Sequence, residues 1–187
     1  MEQTVCWCGM EQIRIHGRGG QGCVTMASMM AEAAFESGKH AQGFPSFGVE
    51  RLGAPIESYV RVDERKITDR SQVYNPDYVI VQDSTLIELV DVAGGLKEDG
   101  MIIVNSSKDA EDIDIDTEAK IVTVDATEIA LKHLGRPIMN TALAGAFTRA
   151  TGLIKKESMA GIIRETFGGE IGEKNVKAMK EAYEAVE

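Results

Sequence analysis

Ten residues near the start of the chain limit its fold more than any others. Ile13-Arg14-Ile15-His16-Gly17-Arg18-Gly19-Gly20-Gln21-Gly22 is an alternating apolar strand that runs straight into four glycines. Residues 23–36, rich in alanine and methionine, predict a helix closed by Ser37-Gly38. A strand, a tight glycine loop and a helix start make a cradle for negatively charged oxygen. Glycine accepts positive φ and lets a ligand approach the backbone closely. The first-turn N–H groups and the helix dipole then face the anion. These residues point to an α/β domain that handles a nucleotide or phosphate, or that derives from one. A plainer alternative stays open, in which the glycines only let strand, loop and helix pack closely.

Gly17-x-Gly19-x-x-Gly22 also has the spacing of the dinucleotide fingerprint. That fingerprint needs an acid at the end of the second strand, about 20 residues further on, to hold the ribose. Lys39 to Phe44 contains none; Glu36 falls inside the helix and Glu50 beyond a proline. A self-contained NAD(P)-dependent enzyme therefore loses support, although it remains the competing function, with a stand-alone scaffold or regulator as a third. Arg18 offers a bidentate fork to phosphate or carboxylate, and the Gln21 amide can donate or accept. Both could equally be solvated loop side chains.

At 187 residues, 43% apolar and 27% charged, the chain can bury a real core. It is expected to be a short N-terminal extension, 1–10, followed by one α/β domain over 11–187. A net charge of −10 argues against a nucleic-acid surface, which needs clustered Lys and Arg. No apolar run approaches the roughly 18–20 residues of a membrane span, and Met1 to Met10 lacks the basic and apolar regions of a signal peptide. A cytoplasmic protein is expected. Three cysteines, Cys6, Cys8 and Cys23, fit a reducing compartment. Cys6-Trp7-Cys8 is too small a set for a structural zinc site or an iron–sulfur cluster, which take about four ligands. No metal site is expected.

Further along, Lys39–Phe44 predicts a short extended segment, and Phe44 to Pro55 a Gly/Pro-rich contact loop carrying Phe47, Glu50, Arg51 and Gly53. Glu50-Arg51 could also be an ordinary surface pair. Ile56–Val62 predicts a strand that turns at Asp63–Lys66 toward Ile67, a hairpin-like antiparallel pair at a sheet edge. Tyr78–Val81, Met101–Val104 and Ile121–Val124 predict buried parallel strands. Asp83 stands at the carboxyl end of the first of these, and a helix is expected over Ser84–Val92. Asp125 and Glu128 resemble a capping box opening a helix to Leu134. Asn140 is expected to cap a helix to about Thr151, and two amphipathic helices follow. The fold class is thus α/β, a three-layer α/β/α Rossmann-like domain. Its sheet is mostly parallel with antiparallel edge strands, and its C-terminal third is helical.

Four ordered segments carry a further resemblance: Gly17–Gly22, Phe44–Pro55, Asn75–Asp83 and Asn140–Phe147. Together they resemble the gamma subunit of 2-oxoacid:ferredoxin oxidoreductases, closest to the pyruvate type, over roughly residues 11 to 185. One departure is Leu52, where the family often has a second arginine. The resemblance implies a complex that decarboxylates pyruvate, or a relative such as 2-oxoisovalerate, to acyl-coenzyme A and CO2 while reducing ferredoxin. It implies thiamine diphosphate, Mg2+, 4Fe-4S clusters and coenzyme A in the complex. The partners implied are alpha, thiamine-binding beta and ferredoxin-like delta subunits, and ferredoxin. The chain lacks both the Gly-Asp-Gly and Asn-Asn signatures of thiamine enzymes and any ferredoxin-type cysteine run. It is therefore expected to hold no cofactor alone and to contribute no catalytic residue. Gly17, Arg18, Gly19, Gly20, Gln21 and Gly22 are the expected ligand-facing residues. Phe47, Glu50, Arg51 and Gly53 are expected to face the partner subunits or coenzyme A.

Overall fold

A computed structural model describes residues 9–46 and 52–186. Six strands form one sheet in the order β2-β3-β1-β4-β5-β6. They are β1 (Glu11–Arg18), β2 (His40–Pro45), β3 (Pro55–Asp63), β4 (Tyr78–Val81), β5 (Met101–Asn105) and β6 (Lys120–Val124). β1, β4, β5 and β6 pair in parallel, with Ile15 opposite Ile80 and Ile80 opposite Ile103. β3 is antiparallel to both β1 and β2, so it alone runs against the other five. The short apolar runs of β4 and β5 suit strands buried on both faces.

Among the described residues five α-helices match expected positions: α1 (Cys23–Glu36), α2 (Ala126–Leu134), α3 (Asn140–Thr151), α4 (Lys156–Phe167) and α5 (Gly169–Ala185). All five bury residues in one core with Ile13, Ile15, Ile80 and Ile103 on one sheet face. Met26, Ile129, Leu143, Met159 and Met179 come one from each helix. The opposite face carries Val79, Val81, Ile102 and Val104, covered by Leu86 and Val92 with Ile87, Leu96, Ile113 and Ile115. This outer layer is built of turns and irregular chain. The sheet remains the middle of three layers.

Three local expectations need correction. Ser84–Val92 is not an α-helix: a 3-10 turn covers Ser84–Leu86, and turns continue to Gly95. The buried Arg14 donates to the Val92 carbonyl at 3.1 Å and the Gly94 carbonyl at 2.7 Å, fixing the segment flat against the sheet. Leu86 and Val92 are buried against the sheet while Leu89 is 62% exposed, and the Arg14 bonds at the segment's end override its helical propensity. The partner of β3 in the hairpin is the preceding β2, not the segment after Asp63–Lys66. Residues 64–77 form no strand, and side chains of β2 and β3 hold carbonyls at Ile67, Ser71 and Gln72. Arg61 donates to Ser71 and Gln72, Gln42 donates to Ile67, and Asp69 accepts from the Ser71 N–H.

The α2 start matches its sequence signal, with Asp125 accepting the Glu128 N–H at 2.8 Å. Asn140 does not cap α3. It is the first helical residue, after an N-cap Met139 that makes no side-chain cap bond, and its Oδ1 accepts the Thr141 N–H at 2.9 Å. Asn140 is buried with its amide against Gly22 at the start of α1.

Candidate functional site

β1 ends at Arg18 and α1 begins at Cys23, so the chain reverses within four residues. The Gln21 N–H donates to the Arg18 carbonyl at 3.0 Å and closes the turn. Gly22, the N-cap of α1, has φ of 78° and offers no side-chain cap. It also has no room for a side chain, since a Cβ would stand 2.6 Å from Asn140 Nδ2. Gly17 is needed for closeness alone: a Cβ there would meet Cys23 Sγ at 2.3 Å and Gln82 Oε1 at 2.8 Å. Close packing thus accounts for Gly17, while the left-handed turn at Gly22 leaves the first-turn amides of α1 without a side-chain cap.

A second loop is stitched to the first. The Gly19 N–H donates to the Ala54 carbonyl at 2.9 Å, and the Gly53 N–H returns to the Gly19 carbonyl at 3.0 Å. Residues 17–22 and 52–54 therefore form one platform at the end of β1. Arg18 ties it further: its Nε lies 3.0 Å from Asp83 Oδ2, its Nη1 donates to the Gly53 carbonyl at 3.1 Å and its Nη2 to Thr85 Oγ1 at 2.7 Å. Gln21 turns back inward. Its Oε1 accepts the Arg18 N–H at 2.8 Å, and its Nε2 donates to Asp83 Oδ2 at 3.0 Å. Burial alone would raise the Asp83 carboxyl. The hydrogen bonds from Thr85 and Gln21 and the charge of Arg18 outweigh it and hold the group below its ordinary value.

The structure thus brings together Gly17, Arg18, Gly19, Gly20, Gln21, Gly22 and Gly53. Phe47, Glu50 and Arg51 lie outside the described residues, as do Cys6 and Cys8. Sequence reasoning noticed Asp83 but gave it no role. Its signal was an acid just past the carboxyl end of a buried parallel strand, where ligands meet open α/β sheets. Beside it a polar cleft of about 480 Å3 opens over the ends of β4, β5 and β6, lined by Gln21, Asp83, Ser106, Lys108 and Asp125 among others. Asn105 forms its floor, donating to the Gln82 carbonyl and Thr127 Oγ1, both at 2.9 Å.

Beneath the platform runs a buried polar row that the sequence pattern did not expose. Arg14 Nε donates to His16 Nε2 at 3.0 Å, so the ring proton sits on Nδ1 and faces Glu57 Oε1 at 3.5 Å. The Tyr59 hydroxyl donates to Glu57 Oε2 at 2.6 Å. Burial, reinforced by the Arg14 charge, lowers His16 to about 4, so the 3.5 Å approach is not an ion pair near neutrality. Tyr59 is pushed up to about 12 by burial and by its bond to Glu57.

Among the described residues no cluster of three or more His, Cys, Asp or Glu could hold a metal ion. Cys23 is buried, its Sγ 2.7 Å from Gln82 Oε1, and burial pushes its thiol up to about 12. It does not fit a thiolate ligand. No described helix is long and apolar enough to cross a membrane.

The strand order also bears on dinucleotide binding. In the dinucleotide fold, the strand after the first helix lies beside the first strand and brings its terminal acid to the ribose. Here antiparallel β3 separates β2 from β1, and that position does not exist. The relatives point elsewhere. The chain is 53% identical over 178 residues to pyruvate synthase subunit PorC of Methanothermobacter thermautotrophicus, covering 95% of this chain and 97% of that one. It is 54% identical over 178 residues to the pyruvate/ketoisovalerate oxidoreductases common subunit gamma of Pyrococcus abyssi, covering 94% and 96%. A crystal structure of the pyruvate oxidoreductase subunit PORC from Thermotoga maritima superposes with a TM-score of 0.86 at 38% identity, covering 96% of this chain and 98% of that one. The family model of pyruvate ferredoxin/flavodoxin oxidoreductase matches residues 12–185. Glycine platform, strand order and relatives agree: the chain belongs to the pyruvate ferredoxin/flavodoxin oxidoreductase family.

Proposed function

We propose that the chain is the gamma subunit of a 2-oxoacid:ferredoxin oxidoreductase. The complex converts pyruvate, or a related 2-oxoacid such as 2-oxoisovalerate, with coenzyme A to acyl-coenzyme A and CO2, and passes the electrons to ferredoxin. The reaction runs reversibly, in the cytoplasm. Thiamine diphosphate, Mg2+ and the iron–sulfur clusters reside on the companion alpha, beta and delta subunits. The sequence carries neither thiamine signature, and Cys23, the described cysteine, is a buried neutral thiol. Cofactors carry the difficult chemistry; this chain supplies binding and assembly.

The observation that carries the reading is the platform itself. Uncapped amides at the start of α1, the Arg18 guanidinium and the backbone of 52–54 meet at the carboxyl end of the interior strand β1. That surface suits the phosphates of coenzyme A, with residues 44–55, including Arg51, reaching the partner subunits. Arg18→Ala and Arg51→Ala in the assembled complex test it. The expected result is a raised KM for coenzyme A or weakened subunit association. If both quantities stay at wild-type values in both variants, the assignment of this face is wrong.

A further inference from the structure

Arg18 does not meet a ligand as a free side chain. It uses three of its five N–H groups inside the protein, on Asp83, Gly53 and Thr85, and keeps two. Asp83 Oδ2 receives both Arg18 Nε and Gln21 Nε2, while Oδ1 takes the Thr85 N–H at 3.1 Å and the Thr85 hydroxyl. One carboxylate therefore fixes the cation of the glycine loop, its only side-chain amide and the turn that leaves β4. Arg18 and Asp83 are both part-buried, at 25% and 18% side-chain exposure, so solvent competes less for the Arg18–Asp83 and Gln21–Asp83 bonds than for the exposed bonds to Gly53 and Thr85. Gln21, held by Asp83, in turn accepts the Arg18 backbone N–H and so sets the shape of the loop.

We infer that Asp83 is the positioning residue of this site, holding Arg18 and Gln21 in the arrangement that an anionic group of coenzyme A meets. The inference rests on the proposed role of Arg18 toward coenzyme A. Two effects of removing the carboxylate oppose each other. Losing its negative charge strengthens the attraction of the platform for an anion. Losing its bonds frees a long side chain and unties the loop whose amides also face the ligand. Three contacts go together, to Arg18, Gln21 and Thr85, whereas the Arg18 charge persists either way. Loss of preorganisation dominates.

The test uses the complex reconstituted with its companion subunits, comparing wild type, Asp83→Asn, Arg18→Ala and the double variant. Asp83→Asn keeps the shape but turns one carboxylate oxygen into a donor facing donors. The KM for coenzyme A is expected to rise about tenfold, the scale of one lost hydrogen bond to a charged group. The KM for the 2-oxoacid stays fixed, and kcat falls by less than KM rises. Because Asp83 acts in part through Arg18, the double variant is expected to lose more than Arg18→Ala but clearly less than the product of the two single effects. A lowered KM in Asp83→Asn, an unchanged one, or multiplicative losses in the double variant would overturn the inference. If Arg18→Ala itself leaves coenzyme A kinetics and assembly untouched, the proposed function of this face fails instead. Melting temperatures of the four complexes separate a general loss of folding, which would raise both KM values and lower kcat, from the selective effect.

Discussion

Acidification should destabilise this protein through His16. The ring is 2% exposed and neutral, held between Arg14 Nε and Glu57, with Arg14 and Glu57 as the nearest charged groups and Asp91 further off. In the unfolded chain it protonates near its ordinary 6.5, in the folded chain only near about 4. Between these values the unfolded state binds the extra proton, so stability falls as pH falls and is fully retained above the upper one. At about 1.4 kcal/mol for each pH unit, lowering the pH from 7 to 4.5 costs about 2.5 kcal/mol through this residue alone. Almost no screening discount applies to a side chain with 3% exposure. The assay is urea denaturation at both pH values for wild type and His16→Gln. The glutamine amide can accept from Arg14 and donate to Glu57 but gains no proton. Carboxylate contributions are common to both proteins and cancel in the difference. Wild type should lose about 2.5 kcal/mol more than the variant on acidification. Equal losses would refute the claim that a buried neutral imidazole supports β1 beneath the platform.

Other substitutions probe separate parts of the argument. Phe147→Ala, on α3 with no exposure and an edge-on contact to Tyr78 at 5.5 Å, should cost about 3–5 kcal/mol in chemical denaturation. Gly22→Ala places a side chain at φ 78° and against Asn140, and should cost at least about 1–2 kcal/mol. Its melting temperature should fall while the α-helical circular dichroism signal is kept. Cys23, in a Cys6→Ser/Cys8→Ser background, should resist alkylation at mildly alkaline pH. A thiol pushed from 9.0 to about 12 carries about a thousandth of the thiolate. Rapid labelling of the native protein would show that burial does not protect it.

Much of the fold was legible because local signals agreed with it. The helix at 23–36 and the strands at Tyr78–Val81 and Met101–Val104 combine one periodicity with clear stops, and each forms as read. The helix at Ser84–Val92 was misread because its apolar residues are placed by the sheet beneath and its end is fixed by Arg14, 78 residues away from Val92 in sequence. The hairpin pairing was misread for a related reason. Alternation in Ile56–Val62 identifies a strand but not its neighbours, which the register with both β1 and β2 decides.

The sequence by itself determined the strand, glycine loop and helix at 11–36, since backbone conformation and helix initiation are local properties of those residues. It also determined the absence of a ribose-binding acid after α1. Only the tertiary structure decided that β3 lies between β1 and β2, and that Asp83 gathers Arg18 and Gln21. It alone placed the buried Arg14 and His16 against the half-exposed Glu57. Each of these joins residues distant in sequence through directional bonds, and bonds of that kind leave no periodicity in the chain for a reader to find.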